Sequence, residues 1–122
     1  MTSQAERFLA AYIECALWSS TDNADDSGGE PLDKNYDATD LAPETLTAFQ
    51  RDCESFFDAN RADLALLPDL EQAGHDFWLT RNGHGAGFWD RGLGELGERL
   101  SKASKVYSSV DLVIGSDGKI HC

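Results

Sequence analysis

The 122-residue chain is strongly acidic, with 22 Asp and Glu against 10 Lys and Arg, a net charge of −12 and a pI near 4.4. Its 41% hydrophobic and 26% charged content is that of a globular protein, at a length that fits one domain, 1–122. No apolar run approaches the roughly 20 residues that span a bilayer, and Glu6 and Glu14 fall where a signal peptide is uncharged, so a cytoplasmic protein is expected.

An amphipathic helix is predicted over 4–18. Ser3 and Glu6 are spaced as a capping box, and Phe8, Leu9, Tyr12, Ile13, Ala16 and Leu17 recur on one stripe. Residues 19–42 change character: Ser, Asp, Asn and Gly dominate without periodicity, and a long acidic loop is expected there, with too few apolar residues to be held by burial. The string DNADDSGGE lacks the register and closing glutamate of a calcium loop. A second helix is predicted over 43–59, opened by Pro43, with Leu46, Phe49, Cys53, Phe56 and Phe57 on its buried face. A short helix over 61–67, capped by Asn60 and stopped by Pro68, precedes a turn over 69–73 that ends at Gly74 as its C′ residue.

Residues 75–91 read HDFWLTRNGHGAGFWDR. The Asn82-Gly83 step between two aromatic pairs is a hairpin signal, and Gly83, Gly85 and Gly87 are expected to serve backbone conformation, at least one with positive φ. A last helix over 92–107 carries Leu93, Leu96, Leu100 and Ala103 on one side, with Glu95–Arg99 and Glu98–Lys102 as surface pairs. VDLVIGSDGKIHC closes the chain as a hairpin around Ser116-Asp117-Gly118. The fold class expected is α+β, three to four helices packed on a small antiparallel sheet of two hairpins.

The cysteines Cys15, Cys53 and Cys122 lack any zinc-type spacing; the first two fall among apolar helix positions as buried thiols, and Cys122 is expected to be exposed. No cofactor or metal site is expected. His75, Asp76, Arg81, Asn82, His84, Asp90 and Arg91 gather polar chemistry in the predicted hairpin, but no spacing among them fixes a catalytic geometry. The block resembles one in small proteins of bacteriophages and related mobile elements, where H-D-F-W-x-T-R-x-x-H-G-x-G-F-W-D is likewise followed by a Leu-rich helix. The match covers residues 74–100 and, loosely, the DGKI terminus. The resemblance implies a phage origin and carries no functional residues with it.

Charge points to a partner. Residues 1–40 hold nine acids against two bases, 41–80 eight against two, and 81–122 five against six, so the first two-thirds sum to −13 and the last third to +1. Such a field repels nucleic acid and anionic membranes and attracts basic surfaces. With a phage origin, the leading expectation is an anti-CRISPR-like or anti-restriction inhibitor of a host defence complex or enzyme. Asp22, Asp25, Asp26, Glu30, Asp33, Asp37, Asp40, Asp52, Glu54 and Asp58 would stand in for phosphates against Arg and Lys of the host protein. The alternatives are a regulatory interaction domain using the aromatic hairpin 75–91, and a small metal-dependent or acid/base enzyme centred on His75, His84 and Asp90.

Overall fold

A computed structural model describes residues 3–22, 30–34, 36–83 and 87–122. Three long helices dominate: α1 (Gln4–Ser19), α2 (Pro43–Ala59) and α4 (Leu70–Arg81), with a single-turn α3 (Arg61–Leu64) between the last two and α5 (Glu95–Lys105) after them. Two two-stranded antiparallel ribbons complete the fold, β1 (Thr21–Asp22) with β2 (Glu30–Pro31), and β3 (Val113–Ile114) with β4 (Ile120–His121). The class is α+β, but the five helices pack chiefly on one another and not on a sheet. Strands of two residues expose too little surface to serve as a packing layer.

The predicted hairpin at 75–91 is not formed. Its first half is the C-terminal half of α4, and its second half is a 3-10 turn, Phe88–Asp90. Phe77, Trp78, Leu79, Thr80 and Arg81 are all buried. A helix enclosed on every side shows no apolar stripe, so its sequence resembles a buried strand. Asn82-Gly83, read as a hairpin turn, ends this helix instead. The Asn82 side chain donates to the Trp78 carbonyl (2.8 Å), and Gly83 turns the chain at φ +70°, its N–H reaching the Thr80 carbonyl (3.2 Å).

Gly74 is likewise not a stop. It lies inside α4, which begins at an Asp69 cap whose carboxylate accepts from the Glu71 and Gln72 amides. A Cβ at Gly74 would stand 2.6 Å from the Phe8 carbonyl oxygen and 2.9 Å from Ala11 Cβ. The glycine is therefore what lets α1 and α4 touch backbone to backbone. Along that seam Arg7 lies by Glu71, Tyr12 by Phe77 and Trp78, and Ser19 by Trp78, so the two helices run side by side in the same direction.

Helix α1 starts as expected, with Ser3 Oγ accepting from the Glu6 amide (3.1 Å), and it buries Phe8, Tyr12, Ile13, Cys15, Ala16 and Leu17. Helix α2 sends in Phe49, Cys53, Phe56 and Phe57. The core these helices share with α4 is aromatic: Phe56 stacks on Phe77 at 4.1 Å, and Tyr12 meets Phe49 and Trp78 edge to face. The third helix is one turn shorter than its expected range, and Asn60 donates its side-chain amide back to Phe56 rather than capping it.

The described part of the acidic segment is anchored, contrary to expectation. Leu32, Leu41 and Ala42 are buried, and the Leu32 amide donates to the Ser20 carbonyl (2.9 Å). A few well-placed apolar residues suffice, because each inserts fully. The terminal hairpin forms where predicted and docks beside this anchor. Ile120 is fully buried, and its carbonyl accepts from both the Ala42 amide and the Thr45 hydroxyl, each at 3.0 Å.

Candidate functional site

The ten carboxylates expected to meet a partner are spread over several environments. Asp22 and Glu30 are paired positions in the β1–β2 register, but their side chains, like Asp25 and Asp26, lie outside the described residues. Asp33 is exposed. Asp37 and Asp40 cap their own 3-10 turn (Ala38–Asp40), Asp37 accepting from Thr39 and Asp40 from the Asp37 amide. Those Thr39 bonds hold the Asp37 carboxyl below its ordinary range. Glu54 and Asp58 are exposed on α2, with Asp58 paired to Arg61.

Asp52 belongs to the interior. Its Oδ2 accepts from Nη1 of Arg81 at 2.9 Å, and the Arg81 side chain is only 3% exposed. The same guanidinium donates to the Tyr12 hydroxyl (3.0 Å) and twice to the Ser108 carbonyl (3.0 and 2.7 Å), and it lies over the rings of Phe77 and Tyr107. Burial works against the Arg81 charge, but Tyr12 and Asp52 outweigh it and raise its pKa. Burial also pushes the Tyr12 hydroxyl well above its usual range. Arg81 is thus an internal tie between α1, α2, α4 and the chain after α5, not the surface link a hairpin would have made of it.

The rest of the 75–91 block is also chiefly structural. Phe77, Trp78 and Phe88 are core residues, and the Trp78 indole donates to Ser19 (2.7 Å). The buried Asp76 accepts Nε and Nη2 of Arg91 at 2.8 to 3.2 Å, clasping the two ends of the block. Thr80 accepts from the Phe88 amide (3.2 Å), where a Cβ on Gly87 would lie 2.3 Å from the same hydroxyl. Gly83 and Gly87 have φ of +70° and +156°, as their conformational role requires; Gly85 lies outside the described residues. Trp89 remains 53% exposed. Of the proposed acid/base set, His75 sits half-buried on α4, while His84 and the Asp90 side chain lie outside the described residues. Among the described residues no three His, Cys, Asp or Glu side chains are placed to hold a metal ion.

What the sequence reading did not find is the face centred on α1. A groove of about 310 Å³ runs between α1 and α2, floored by Ala5, Leu9 and Cys53 and rimmed by Glu6 and Glu54. A second, of about 330 Å³, runs between α1 and α4, lined by Arg7, Ala10, Ala11 and Glu14 on one side and Asp69, Glu71 and His75 on the other, with Arg7 paired to Glu71 across it. Residues 6, 10 and 14 lie one turn apart, so Glu6 and Glu14 bracket Ala10 along one exposed edge. That spacing was visible in the sequence; that α2 and α4 would add Glu54, Asp69 and Glu71 beside it depends on the packing.

The arginines are placed quite differently. Every arginine meets a carboxylate: Arg7 with Glu71, Arg51 and Arg81 with Asp52, Arg61 with Asp58, Arg91 with Asp76, and Arg99 with Asp63. Arg99 thereby reaches across to α3 instead of pairing along its own helix with Glu95. Glu6, Glu14 and Glu54 make no ion pair among the described residues.

Among the described residues, no helix is long and apolar enough to cross a membrane. No protein-family model, no curated protein and no solved structure matches the chain.

Proposed function

We propose that the chain is a phage-encoded inhibitor that binds a basic, nucleic-acid-handling surface of a host defence complex or enzyme, standing in for the nucleic acid. The observation that carries this reading is the division of charge. The arginines are engaged by carboxylates of the fold, while Glu6, Glu14 and Glu54 face solvent along the two grooves flanking α1. A net −12 concentrated in residues 1–80 supplies the long-range attraction, and the grooves supply apolar floors for the stems of Lys and Arg side chains. Among the described residues Glu6, Glu14 and Glu54 are the carboxylates presented along the grooves, joined by Glu71 beside Arg7, with Asp33 and Asp58 as outlying charges. Asp52 acts by holding Arg81. The resemblance of the 74–100 block to phage proteins supports the origin.

The test is capture of host proteins from a lysate on the immobilised chain, at low and high salt and with competing duplex DNA. A nucleic-acid-handling protein should be retained, released by salt and displaced by the duplex. It should be lost on a Glu6→Gln/Glu14→Gln/Glu54→Gln/Glu71→Gln chain. Capture that is insensitive to all three changes refutes the reading. A second reading, an interaction domain using the remnant of the aromatic block, rests on the exposure of Trp89; it predicts loss of the same partner in Trp89→Ala with the four glutamates intact.

A further inference from the structure

Beside the α1–α4 groove lies a smaller and mostly apolar socket of about 230 Å³, walled by Leu67, Pro68, Ala73 and Leu93. The two cavities share Asp69 and Gln72, so only the first turn of α4 separates them. At the inner end of the socket, Asp76 already accepts from Gln72 (3.1 Å) and from Arg91, so the charge there is engaged and an apolar guest strands no ion. Leu93 lies half-buried on the wall and outside the aromatic core. At about 230 Å³ the socket has room for a Leu- or Phe-sized side chain.

We infer that the docking face is bipartite: the socket takes an apolar side chain of the partner protein, and the adjoining groove takes a Lys or Arg within about four residues of it on the same segment. This deepens the proposed function and rests on its reading of the groove as cation-accepting. The argument is charge complementarity beside an apolar cavity. Glu14, Asp69 and Glu71 outnumber Arg7, which pairs with Glu71, so the groove keeps an excess of negative charge centred on Glu14 that attracts the cation, while the socket discriminates, because attraction to a carboxylate rim alone does not distinguish one basic segment from another.

A phage-displayed library of random 12-residue peptides, selected on the immobilised full chain, tests this, with the affinities of the selected peptides then measured by fluorescence anisotropy. The expected consensus pairs Leu, Phe or Met with Lys or Arg at a spacing of up to about four residues. Leu93→Gln, which makes the wall polar, and Leu93→Trp, which fills the socket, should each weaken these peptides about tenfold or more with an unchanged urea midpoint. Glu14→Gln/Glu71→Gln should weaken them most at low salt. Asp69 is left intact because it caps α4. Basic peptides with no apolar position, bound equally by both Leu93 variants, overturn the socket and leave the acidic-face reading standing. Apolar peptides without a basic position overturn both, and selection of no peptide overturns the inference.

Discussion

Arg81 ties α1, α2 and α4 to the chain after α5, and its replacement by Met gives a sharp test. Arg81→Met keeps most of the apolar stem but removes four hydrogen bonds, to Asp52, to Tyr12 and twice to Ser108. Breaking a buried pair from one side costs about 3–5 kcal/mol, mostly through the charge left behind. Asp52 keeps some contact with water, at 17% side-chain exposure, and has Arg51 at 3.5 Å, which places the cost near the lower end, about 3 kcal/mol. For a domain of this length that lowers Tm by about 10 °C. Adding Asp52→Leu removes the stranded carboxylate while leaving Tyr12 and Ser108 short of a donor. The double variant should therefore recover to within about 1–2 kcal/mol of the parent. Arg81→Lys should fall between, since an ammonium cannot reach three acceptors in the fork geometry of a guanidinium. Urea unfolding followed by tryptophan fluorescence reads all three. A loss under about 1 kcal/mol for Arg81→Met, or a double variant no more stable than the single, refutes the claim that this ion pair ties the helices together.

Gly74→Ala should destabilise by about 1–3 kcal/mol in urea unfolding although alanine favours helix, because the new methyl meets the Phe8 carbonyl and Ala11 across the seam. In a native thiol titration at pH 8, Cys122 should react at once and Cys15 and Cys53 only on unfolding. Burial pushes the Cys15 thiol up to about 12 from an ordinary 9, so the folded state holds its proton more tightly than the unfolded one. Its contribution is accordingly whole below pH 9 and lost as pH rises towards 12; Cys15→Ala should flatten that alkaline decline in unfolding experiments. The chain should give no mobility shift with DNA or RNA at physiological salt, and micromolar binding would contradict the field argument.

The fold was legible where side chains alternate between a wet and a dry face. Helix α1 was readable because Ser3 marks its start and its stripe is one-sided, and α2 because Pro43 and the Phe49–Phe57 spacing do the same. Helix α4 was not, because its C-terminal half has no wet side. Burial of Phe77, Trp78, Leu79, Thr80 and Arg81 together erases the period that distinguishes helix from strand. The two glycine signals then failed for one reason: Asn82-Gly83 and Gly74 were judged by their neighbours in sequence. What decides them is a helix end in one case and the backbone of α1 in the other.

Charge sorting was harder to read than fold. Net charge and its asymmetry along the chain are sequence properties, yet which carboxylates are taken up inside the fold is settled by the buried Arg81 and the partly buried Arg91. Asp52 and Asp76 look no different in sequence from Glu54, but the first two are spent on Arg81 and Arg91 while Glu54, with no ion pair among the described residues, rims a groove. Counting acids along the chain does not show that Asp37 and Asp40 are occupied capping their own turn. It underweights α1, whose Glu6 and Glu14 are isolated in sequence and gain neighbours only when α2 and α4 pack on either side. A partner attracted by the whole field would meet this face with its cations. On the proposed reading, the charge of residues 1–80 would govern how fast it arrives, and the grooves along α1 would govern what stays bound.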